Sequence, residues 1–505
     1  MEAIITFSIY CIGMLIIGLW TYSKTSSLSD YILGGRSLNP WVAALSAQAS
    51  DFSGWLLLGL PGAVYASGIN GMWIGVGLAV GAYLNWQFIA KRLRRYTEVS
   101  RDSVTLPEFF ENRFRDKSHS LRVVSALFIL IFYMIYVASG LVASGKLFVS
   151  IFDGMSFSSG LWIGAIVVIA YTFLGGFLAA SYTDFIQGSL MFLALIIAPV
   201  YVIWGKLGGL SGLWEKLSSI NPDLLYATSS VTSDFGNGVY WQSAGTAGFI
   251  AIISLLAWGL GYPGQPHIVA RFMGIRSTKD VPKAKMIAMI WIGISLWGAI
   301  FVALAGIVFF GSETPLADPE QVFIQLIPAV FDPWTAGFLL AAVLAAIMST
   351  MDSQLVVACS ALAEDFYKPF FRKKASGKEL VWVGRIATVV IAGIALAIAF
   401  SGSQSVLGIV AYAWAGFGSV FGPPVIFALW WRRTTSLGVL LGMIVGGVTV
   451  ILWEIYPSIA TALGVGGLYS LVPGFVLACL VIWIVSMLGK VHPEVEEEFN
   501  QAVAE

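Results

Sequence analysis

The stretch Ala47-Gln48-Ala49-Ser50-Asp51-Phe52-Ser53-Gly54-Trp55 decides the fold class, because it sets an aspartate inside a segment, 40–66, that is otherwise apolar enough to cross a membrane. A carboxylate at membrane depth is costly and therefore usually functional. The small polar residues and Gly54 around Asp51 favour an interrupted helix, whose freed carbonyls bind cations and whose freed amides bind carboxylates. The alternative is a polar cluster that only makes hydrogen bonds between helices.

The composition of the whole chain indicates a protein whose main solvent is lipid. Of its 505 residues, 58% are hydrophobic and only 11% are charged, whereas a soluble domain has about 25% charged residues. The net charge is zero, so there is no basic excess for nucleic acid. Isolated cysteines and scattered histidines support neither a disulfide framework nor a metal centre. These residues are Cys11, Cys359, Cys479, His119, His267 and His492.

Thirteen apolar segments predict an all-α polytopic membrane protein. The first of them lacks a basic leader and a cleavage site, so we interpret it as a retained helix rather than a signal peptide. The longest polar stretch, 206–239, is predicted to hold short surface helices such as 210–217. The segments are 3–22, 40–66, 69–90, 121–152, 158–179, 181–205, 240–266, 282–311, 333–364, 380–401, 405–431, 436–457 and 468–489.

The positions of lysine and arginine test this segmentation, because both residues favour cytoplasmic loops. With the N-terminus outside, 25 of the 28 basic residues fall in inside loops, and only Lys146, Lys206 and Lys216 fall outside. The sequence therefore predicts an orientation with the N-terminus out and the C-terminus in. The tail after Lys490 is too short to form a catalytic or sensor domain.

A second interruption is predicted at Trp258-Gly259-Leu260-Gly261-Tyr262-Pro263-Gly264-Gln265-Pro266-His267, since three glycines and two prolines cannot sustain a regular helix. Its indole and phenol suit a ligand pocket, although an ordinary helix end in an interfacial aromatic belt is the alternative. The two interruptions fall in the second and seventh spans, five helices apart. Paired interruptions at corresponding positions point to an inverted-repeat transporter.

A third cluster lies in 346–353, where Ala346, Ser349, Thr350 and Ser353 share one helical face. Hydroxyls and nearby carbonyls are the oxygen ligands that a hard cation such as sodium prefers. The alternative is Ser/Thr packing between helices.

Two further charged residues have ordinary structural explanations. Asp184 opens the sixth span, where a carboxylate is also favoured by the helix dipole alone. Arg36 is better read as a cytoplasmic topology anchor than as a substrate ligand.

Several stretches together resemble a known family. They are 30–38, 45–47, 49–56, 59–63, 171–179, 258–262, 264–267, 344–350 and 411–418. The chain resembles the sodium/solute symporter family from about residue 7 to 490, and most closely its bacterial sodium/proline symporters. The resemblance implies thirteen spans with a LeuT-type 5+5 inverted-repeat core. The domains would be a first helix (1–30), a ten-helix transport core (31–430), two last helices (431–490) and an acidic cytoplasmic tail (491–505).

The resemblance also implies a set of site residues. A sodium ion would be held by the carbonyls of Ala49, Phe52 and Ala346 and the hydroxyls of Ser349 and Thr350, with Asp51 essential. Residues implied to contact the substrate or shape its pocket are Ser53, Gly54, Trp55, Gly59, Tyr136, Trp258, Tyr262 and Pro266. The pair Asp352-Ser353 departs from the family pattern and leaves the number of coupled ions open. With Asp184 and Ser349, this pair forms a candidate second sodium position.

The function expected from these features is sodium-coupled symport of L-proline into the cell by alternating access, in the inner membrane of a bacterium. Sodium is the coupling ion, and membrane lipid surrounds the protein; no other cofactor, nucleic acid or required protein partner is expected. Another amino acid or a small carboxylate is the alternative substrate. A ligand-gated channel, a membrane sensor and a membrane enzyme are alternatives of a different class, but the sequence lacks repeated pore loops, a signalling domain and a catalytic constellation.

Overall fold

A computed structural model describes residues 2–22, 32–152, 154–174, 176–311, 313–402 and 405–503. Lys24, Asp30, Tyr31 and Gly175, which entered the charge count or the resemblance, lie outside these ranges, as do the last two residues of the tail.

Helices make up most of the described chain. Nine stretches in it are long and apolar enough to cross a membrane, and three shorter apolar helical stretches accompany them. The α-helices are Glu2–Tyr22, Pro40–Asp51, Leu60–Ser67, Met72–Leu84, Lys91–Val99, Leu106–Phe114, Ser120–Ile151, Phe157–Leu174, Phe177–Lys206, Gly209–Ile220, Phe249–Leu256, Pro266–Gly274, Val281–Phe310, Val322–Val330, Pro333–Ser360, Lys368–Phe370, Gly377–Ser401, Val406–Trp430, Ser436–Ile455, Ser458–Ala462, Leu471–Leu488 and Pro493–Val503.

Tighter or wider turns join or interrupt these helices. The wider π-helical turns are Trp55–Gly59, Asn85–Ala90 and Ala361–Tyr367. The tighter 3-10 turns are Gly34–Arg36, Gly68–Gly71, Pro222–Leu225, Phe235–Asn237, Ala257–Gly264, Thr278–Asp280 and Pro319–Gln321.

One part of the all-α prediction is wrong. Ser229–Asp234 and Val239–Thr246 form a two-stranded antiparallel hairpin in which Val231 lies opposite Ser243. The seventh predicted span therefore starts too early, and its helix begins at Phe249. The physical reason is the turn between the strands, where the Asp234 side chain accepts from the amide of Asn237 and Gly238 takes a positive φ. The predicted short helix at 210–217 is confirmed, as Gly209–Ile220.

The hairpin packs onto the end of the first interrupted helix. The indole Nε1 of Trp241 donates to the carbonyl of Tyr65 at 2.6 Å, and the hydroxyl of Ser233 donates to the carbonyl of Ala66 at 2.9 Å. A long polar connection is thereby held against the bundle rather than extending from it.

The two interrupted helices lie at the centre of the bundle. The first, 40–67, packs against Phe177–Lys206, Val281–Phe310 and Pro333–Ser360. The second, 249–274, packs against Met72–Leu84 and Val406–Trp430. Glycine permits the contact between the second interrupted helix and Met72–Leu84, because a Cβ on Gly259 would collide with the carbonyl of Gly77. Small residues at such crossings let helix backbones approach closely.

Arg36 and the tail tie surface segments together. Arg36 donates from Nη1 to the carbonyl of Met273 at 2.8 Å and from Nη2 to that of Ser103 at 2.9 Å. In the tail, helix Pro493–Val503 packs on Lys91–Val99, and Arg115 pairs with Glu498 at 2.6 Å. Both contacts lie at the end of the bundle where most basic residues gather.

Candidate functional site

The first interruption begins directly after Asp51. Asn39 caps the helix by accepting from the amides of Trp41 and Val42, and the helix ends where Phe52 takes a ψ of 77°. The indole Nε1 of Trp55 then donates to the carbonyl of Asp51 at 3.1 Å. The same carbonyl also accepts from the backbone amide of Ser53 at 3.0 Å, and the chain resumes as a π-helical turn.

Asp51 is a fully buried carboxylate that lacks a hydrogen-bond donor among the described residues. Its exposed fraction is 0%, and neither carboxylate oxygen has a partner in the described part of the chain. The hydroxyl of Tyr262 is its polar neighbour, but the two groups do not reach hydrogen-bond geometry. Burial of a charge without a partner is strongly unfavourable, so this position is suited to a group that binds a cation.

Two hydroxyls from the facing helix converge on the same interruption. The hydroxyl of Ser349 lies 2.7 Å from the carbonyl oxygen of Ala49 and 3.2 Å from that of Ala346. The hydroxyl of Thr350 lies 3.3 Å from the carbonyl oxygen of Ala49. Four of the five predicted sodium ligands therefore meet at one point, although 300 residues separate Ser349 from Ala49.

The fifth predicted ligand, Phe52, is buried at the interruption itself. Its ring packs between Trp55, at a centroid distance of 5.2 Å, and Trp291, at 5.3 Å. The ring thus closes one side of the convergence point with apolar surface. Apolar walls lower the local dielectric and strengthen every charge interaction inside them.

The second interruption is a 3-10 turn, Ala257–Gly264, followed by an extended residue, Gln265. The Gln265 amide Nε2 donates to the carbonyls of Gly261, at 3.2 Å, and Trp414, at 3.3 Å. A Cβ on Gly261 would collide with the Trp414 indole. Glycine is required there for the close approach of the two segments.

Aromatic rings gather between the two interruptions. The Trp258 ring lies 6.3 Å from that of Trp55 and 6.3 Å from that of Trp414. Tyr262 meets Trp414 edge-on at 5.2 Å, and the Trp414 Nε1 donates to the carbonyl of Trp258 at 2.8 Å. Trp414 was not among the predicted pocket residues, although the stretch 411–418 carried the resemblance and could have pointed to it.

The remaining predicted pocket residues line the same region with different roles. The Ser53 hydroxyl accepts from the amide of Trp55 at 3.3 Å. Gly54 and Gly59 allow close packing, since a Cβ would lie 2.9 Å from that of Ala143 and 3.0 Å from that of Leu407 respectively. These contacts fix the backbone where the helix resumes.

Tyr136 and Pro266 lie beside the second interruption. The buried Tyr136 ring lies 6.1 Å from that of His267. Pro266 begins helix Pro266–Gly274. With Ile129 and Ala270 it lines a cavity of about 30 Å³, and the tryptophans of the aromatic group do not border this cavity. Sequence reasoning missed the histidine, whose Nδ1 lies 3.1 Å from the hydroxyl of Tyr133.

The candidate second sodium position lies against a buried arginine. Arg271 Nη2 lies 3.1 Å from Asp184 Oδ2, and the Ser46 hydroxyl donates to the same oxygen at 2.7 Å. Arg271 also donates to the hydroxyl of Ser353, which in turn donates to Asp352 Oδ1 at 3.1 Å. The charge count placed Arg271 in a loop, and this is wrong: Arg271 lies in helix Pro266–Gly274 and its exposed fraction is 1%. A guanidinium therefore supplies positive charge where only acids were expected.

Comparisons with known proteins match this geometry to a family of transporters. The family model described as the sodium:solute symporter family matches residues 31–446. A sodium/proline symporter from Salmonella typhimurium is 49% identical, with 99% of this chain and 96% of that protein covered. The high-affinity proline transporter PutP of Bacillus subtilis is 47% identical, with 96% of this chain and 98% of that protein covered.

Solved structures agree on the fold. A sodium-coupled sialic acid symporter in a substrate-bound outward-open state has a TM-score of 0.79 at 18% identity, over 97% of this chain and 98% of that one. A nucleobase-cation-symport-1 family transporter in a closed conformation has a TM-score of 0.52 at 14% identity, over 95% of this chain and 99% of that one. The chain is an integral multi-pass membrane protein, a transporter and not an enzyme, and it belongs to the sodium:solute symporter family.

Proposed function

We propose that the protein carries L-proline into the cell together with sodium by alternating access. Full-length relatives named as sodium/proline symporters support this proposal. The observation that carries it is the meeting of the Ser349 and Thr350 hydroxyls with the Ala49 carbonyl, close to the unpartnered carboxylate of Asp51.

Sodium fits the oxygen-rich point at the first interruption. The two hydroxyls and the carbonyls of Ala49, Phe52 and Ala346 are neutral oxygen donors of the kind that hard cations prefer. Asp51 supplies the negative charge that offsets the cost of bringing a cation into a buried site. The ion would take over the hydrogen-bond acceptors that the hydroxyls now use, so binding requires only small side-chain rotations.

The proposed proline site lies between the two interruptions. Its carboxylate would meet the amides near Ser53 and Gly54, where the helix resumes and its dipole is positive. Its apolar ring and ammonium would meet the faces of Trp258 and Tyr262 and the side chain of Tyr136, since aromatic faces attract cations.

Coupling follows from the position of Asp51 between the two ligands. The carboxylate belongs to the interruption that carries the proposed sodium ligands, and its polar neighbour is the Tyr262 hydroxyl on the other interrupted helix. A bound sodium would draw Asp51 towards the cation and leave the Tyr262 hydroxyl to the substrate. By linkage, each ligand then raises the affinity for the other.

Alternating access requires closure at both ends of the bundle, and one helix carries an ion pair near each of its ends. In Ser120–Ile151, Lys146 lies 2.6 Å from Glu320 and 2.7 Å from Asp318. Near the other end, Arg122 lies 2.8 Å from the buried carboxylate of Asp365. We propose that these pairs break in turn as the transporter opens to either side.

The finer topology is part of the proposal. It comprises thirteen spans, a LeuT-type inverted-repeat core in 31–430 and two last helices in 431–490, and the two interrupted helices, which fall in the second and seventh predicted spans, support it. An outside N-terminus, a cytoplasmic tail at 491–505 and a location in the bacterial inner membrane follow from the charge distribution and the relatives.

A single sodium ion per cycle is the proposed stoichiometry. A second ion near Asp184, Ser349, Asp352 and Ser353 would share the carboxylate of Asp184 with Arg271, whose guanidinium lies 3.1 Å away. The arginine already neutralises one of the two acids, so the electrostatic need for a second cation is smaller than the sequence suggested.

Uptake of radiolabelled proline into proteoliposomes tests the proposal. An inward sodium gradient should drive accumulation above the external concentration, and a sodium ionophore should abolish it. Equal accumulation with a potassium gradient would contradict sodium coupling. Uptake that another amino acid or small carboxylate inhibits more strongly than unlabelled proline does would instead support the alternative substrate. Dissipative sodium-independent flux would support a channel.

A further inference from the structure

The first helix, Glu2–Tyr22, lies outside the predicted transport core but contributes a buried hydroxyl to it. Tyr10 is 9% exposed, and its hydroxyl accepts from the amide Nε2 of Gln187 at 2.7 Å. Gln187 belongs to the stretch 184–188, the backing stretch, whose helix packs against the first interrupted helix. We propose that Tyr10 and Trp291 are positioning residues, which hold the backing stretch in place and thereby set the affinity for sodium. The inference rests on the proposed sodium site and adds two residues that lie outside its ligand set.

The backing stretch touches the first interrupted helix at two points, about one helical turn apart. The Ser46 hydroxyl donates to Asp184 Oδ2 at 2.7 Å. Gly188 faces Ala49 so closely that a Cβ on this glycine would lie 3.3 Å from that of Ala49. The Ala49 carbonyl is the oxygen on which both hydroxyls of the proposed sodium site converge. A displacement of the backing stretch would therefore displace a proposed sodium ligand.

Trp291 joins the backing stretch to a second part of the interruption. Its indole Nε1 donates to the carbonyl of Gly188 at 2.9 Å, and its ring centroid lies 5.3 Å from that of Phe52. Phe52 carries another of the proposed sodium ligands, its own carbonyl. Because protein interiors are close-packed, an indole that contacts both groups fixes the spacing between the proposed ligands on Ala49 and Phe52.

Tyr10 holds the backing stretch through Gln187. The Gln187 side chain is fully buried, and in the described part of the chain its Nε2 donates to Tyr10 while its Oε1 has no partner. An unpaired polar group in a buried site is costly. Without the phenol hydroxyl, the Gln187 amide would have to turn towards another acceptor, and the neighbouring Gly188 would shift against Ala49. The alternative is that the contact only anchors the first helix to the bundle, in which case its loss would change stability and not sodium affinity.

Sodium titrations of labelled proline binding to the purified full-length protein test the proposal. Tyr10→Phe and Trp291→Phe should each raise the sodium concentration needed for half-maximal proline binding about threefold, because each loses one hydrogen bond to the backing stretch. Proline affinity at saturating sodium should equal that of the wild type. Gly188→Ala presses a Cβ against Ala49 and should raise the same sodium concentration while both hydrogen bonds remain.

Two variants on the helix of the backing stretch serve as controls. Tyr201→Phe removes a hydroxyl from a residue that is 43% exposed, and Gly205→Ala adds a Cβ that would meet the Tyr201 ring at an ordinary contact distance of 3.8 Å. Both should titrate like the wild type. An equal shift in either control would attribute the effect to any change in this helix and overturn the proposal.

The thermal unfolding midpoint without sodium separates positioning from anchoring. An unchanged sodium titration in Tyr10→Phe and Trp291→Phe, whether or not the midpoint falls, would leave both contacts as anchors and overturn the proposal. Weaker proline affinity at saturating sodium would also overturn it, because the two residues would then act on the substrate pocket. If Trp291→Phe does not fold, Tyr10→Phe and Gly188→Ala decide by the same criteria. Proline binding to the wild type that does not depend on sodium would instead contradict the proposed sodium site itself.

Discussion

The two interrupted helices differ in what they present to the centre of the protein. The first presents oxygens, because its break exposes the Ala49 carbonyl to the Ser349 and Thr350 hydroxyls. The second presents rings, because its 3-10 turn packs Trp258 and Tyr262 around Trp414. The difference is the basis of the proposed division of labour, in which one break would bind the ion and the other would enclose the substrate.

A second contrast separates the two buried acids. Asp184 has a guanidinium and a hydroxyl on one oxygen, whereas Asp51 lacks a donor among the described residues. Both have an exposed fraction of 0%, so burial does not distinguish them. The charge partner distinguishes them, because the protein itself neutralises Asp184, whereas Asp51 would be available to a transported cation.

The largest effect is expected from Asp51→Asn. Sodium-dependent proline uptake should fall by about 100-fold, because an amide cannot offset the charge of a dehydrated cation. Initial uptake rates, normalised to protein in the membrane, measure this. Glu215→Gln, at an exposed position, is the control and should keep wild-type uptake. Wild-type sodium dependence in Asp51→Asn would remove this residue from the ion site.

Substitutions in the second interruption should come next. Trp258→Ala and Tyr262→Ala should each raise the half-saturation concentration for proline about tenfold through lost ring and cation–π contacts. The half-saturation concentration for sodium should change much less. Trp382→Ala removes an indole that is 55% exposed and should change neither. A larger shift for sodium than for proline would reverse the proposed division of labour.

A smaller effect is expected from a substitution on the helix that faces the first interruption. It should change the half-saturation concentration for sodium rather than that for proline. Ser349→Ala should raise the half-saturation concentration for sodium about fivefold, because one oxygen ligand is lost. Ser360→Ala on the same helix is the matched control, since its hydroxyl donates to the carbonyl of Val356 within its own helix, at 2.7 Å. Sodium activation curves of proline uptake compare the two variants. If both curves coincide with that of the wild type, Ser349 is not an ion ligand.

The smallest effect is expected from Asp352→Asn. If Arg271 neutralises Asp184, the Hill coefficient for sodium should be about one in the wild type and should stay there in the variant. Sodium dependence of initial uptake gives the coefficient. A wild-type value near two that falls to one in Asp352→Asn would establish the second sodium position.

Residues that break helices were predictable from sequence, because their cause is local. Glycine and proline in 258–267, and an aspartate among small residues at 47–55, disfavour a regular helix whatever the rest of the chain does. The convergence of Ala346, Ser349 and Thr350 on one helical face was predictable from helical periodicity.

Contacts between distant residues were not predictable in the same way. Arg271 and Asp184 are 87 residues apart, and a single arginine near a predicted helix end looks like an ordinary loop cation. Trp414 enters the aromatic group through a helix that sequence reasoning linked to the site only by resemblance. The hairpin at 229–246 was missed because its second strand begins with Val239, Tyr240 and Trp241, which were counted with the following apolar helix.

Equilibrium binding of labelled proline at a series of sodium concentrations tests the division of labour most directly. In Ser349→Ala, the sodium concentration needed for half-maximal proline binding should rise, and proline affinity at saturating sodium should equal that of the wild type. In Tyr262→Ala, proline affinity should be weaker at every sodium concentration. The contradictory result is Ser349→Ala with weakened proline affinity at saturating sodium together with Tyr262→Ala that is rescued by sodium.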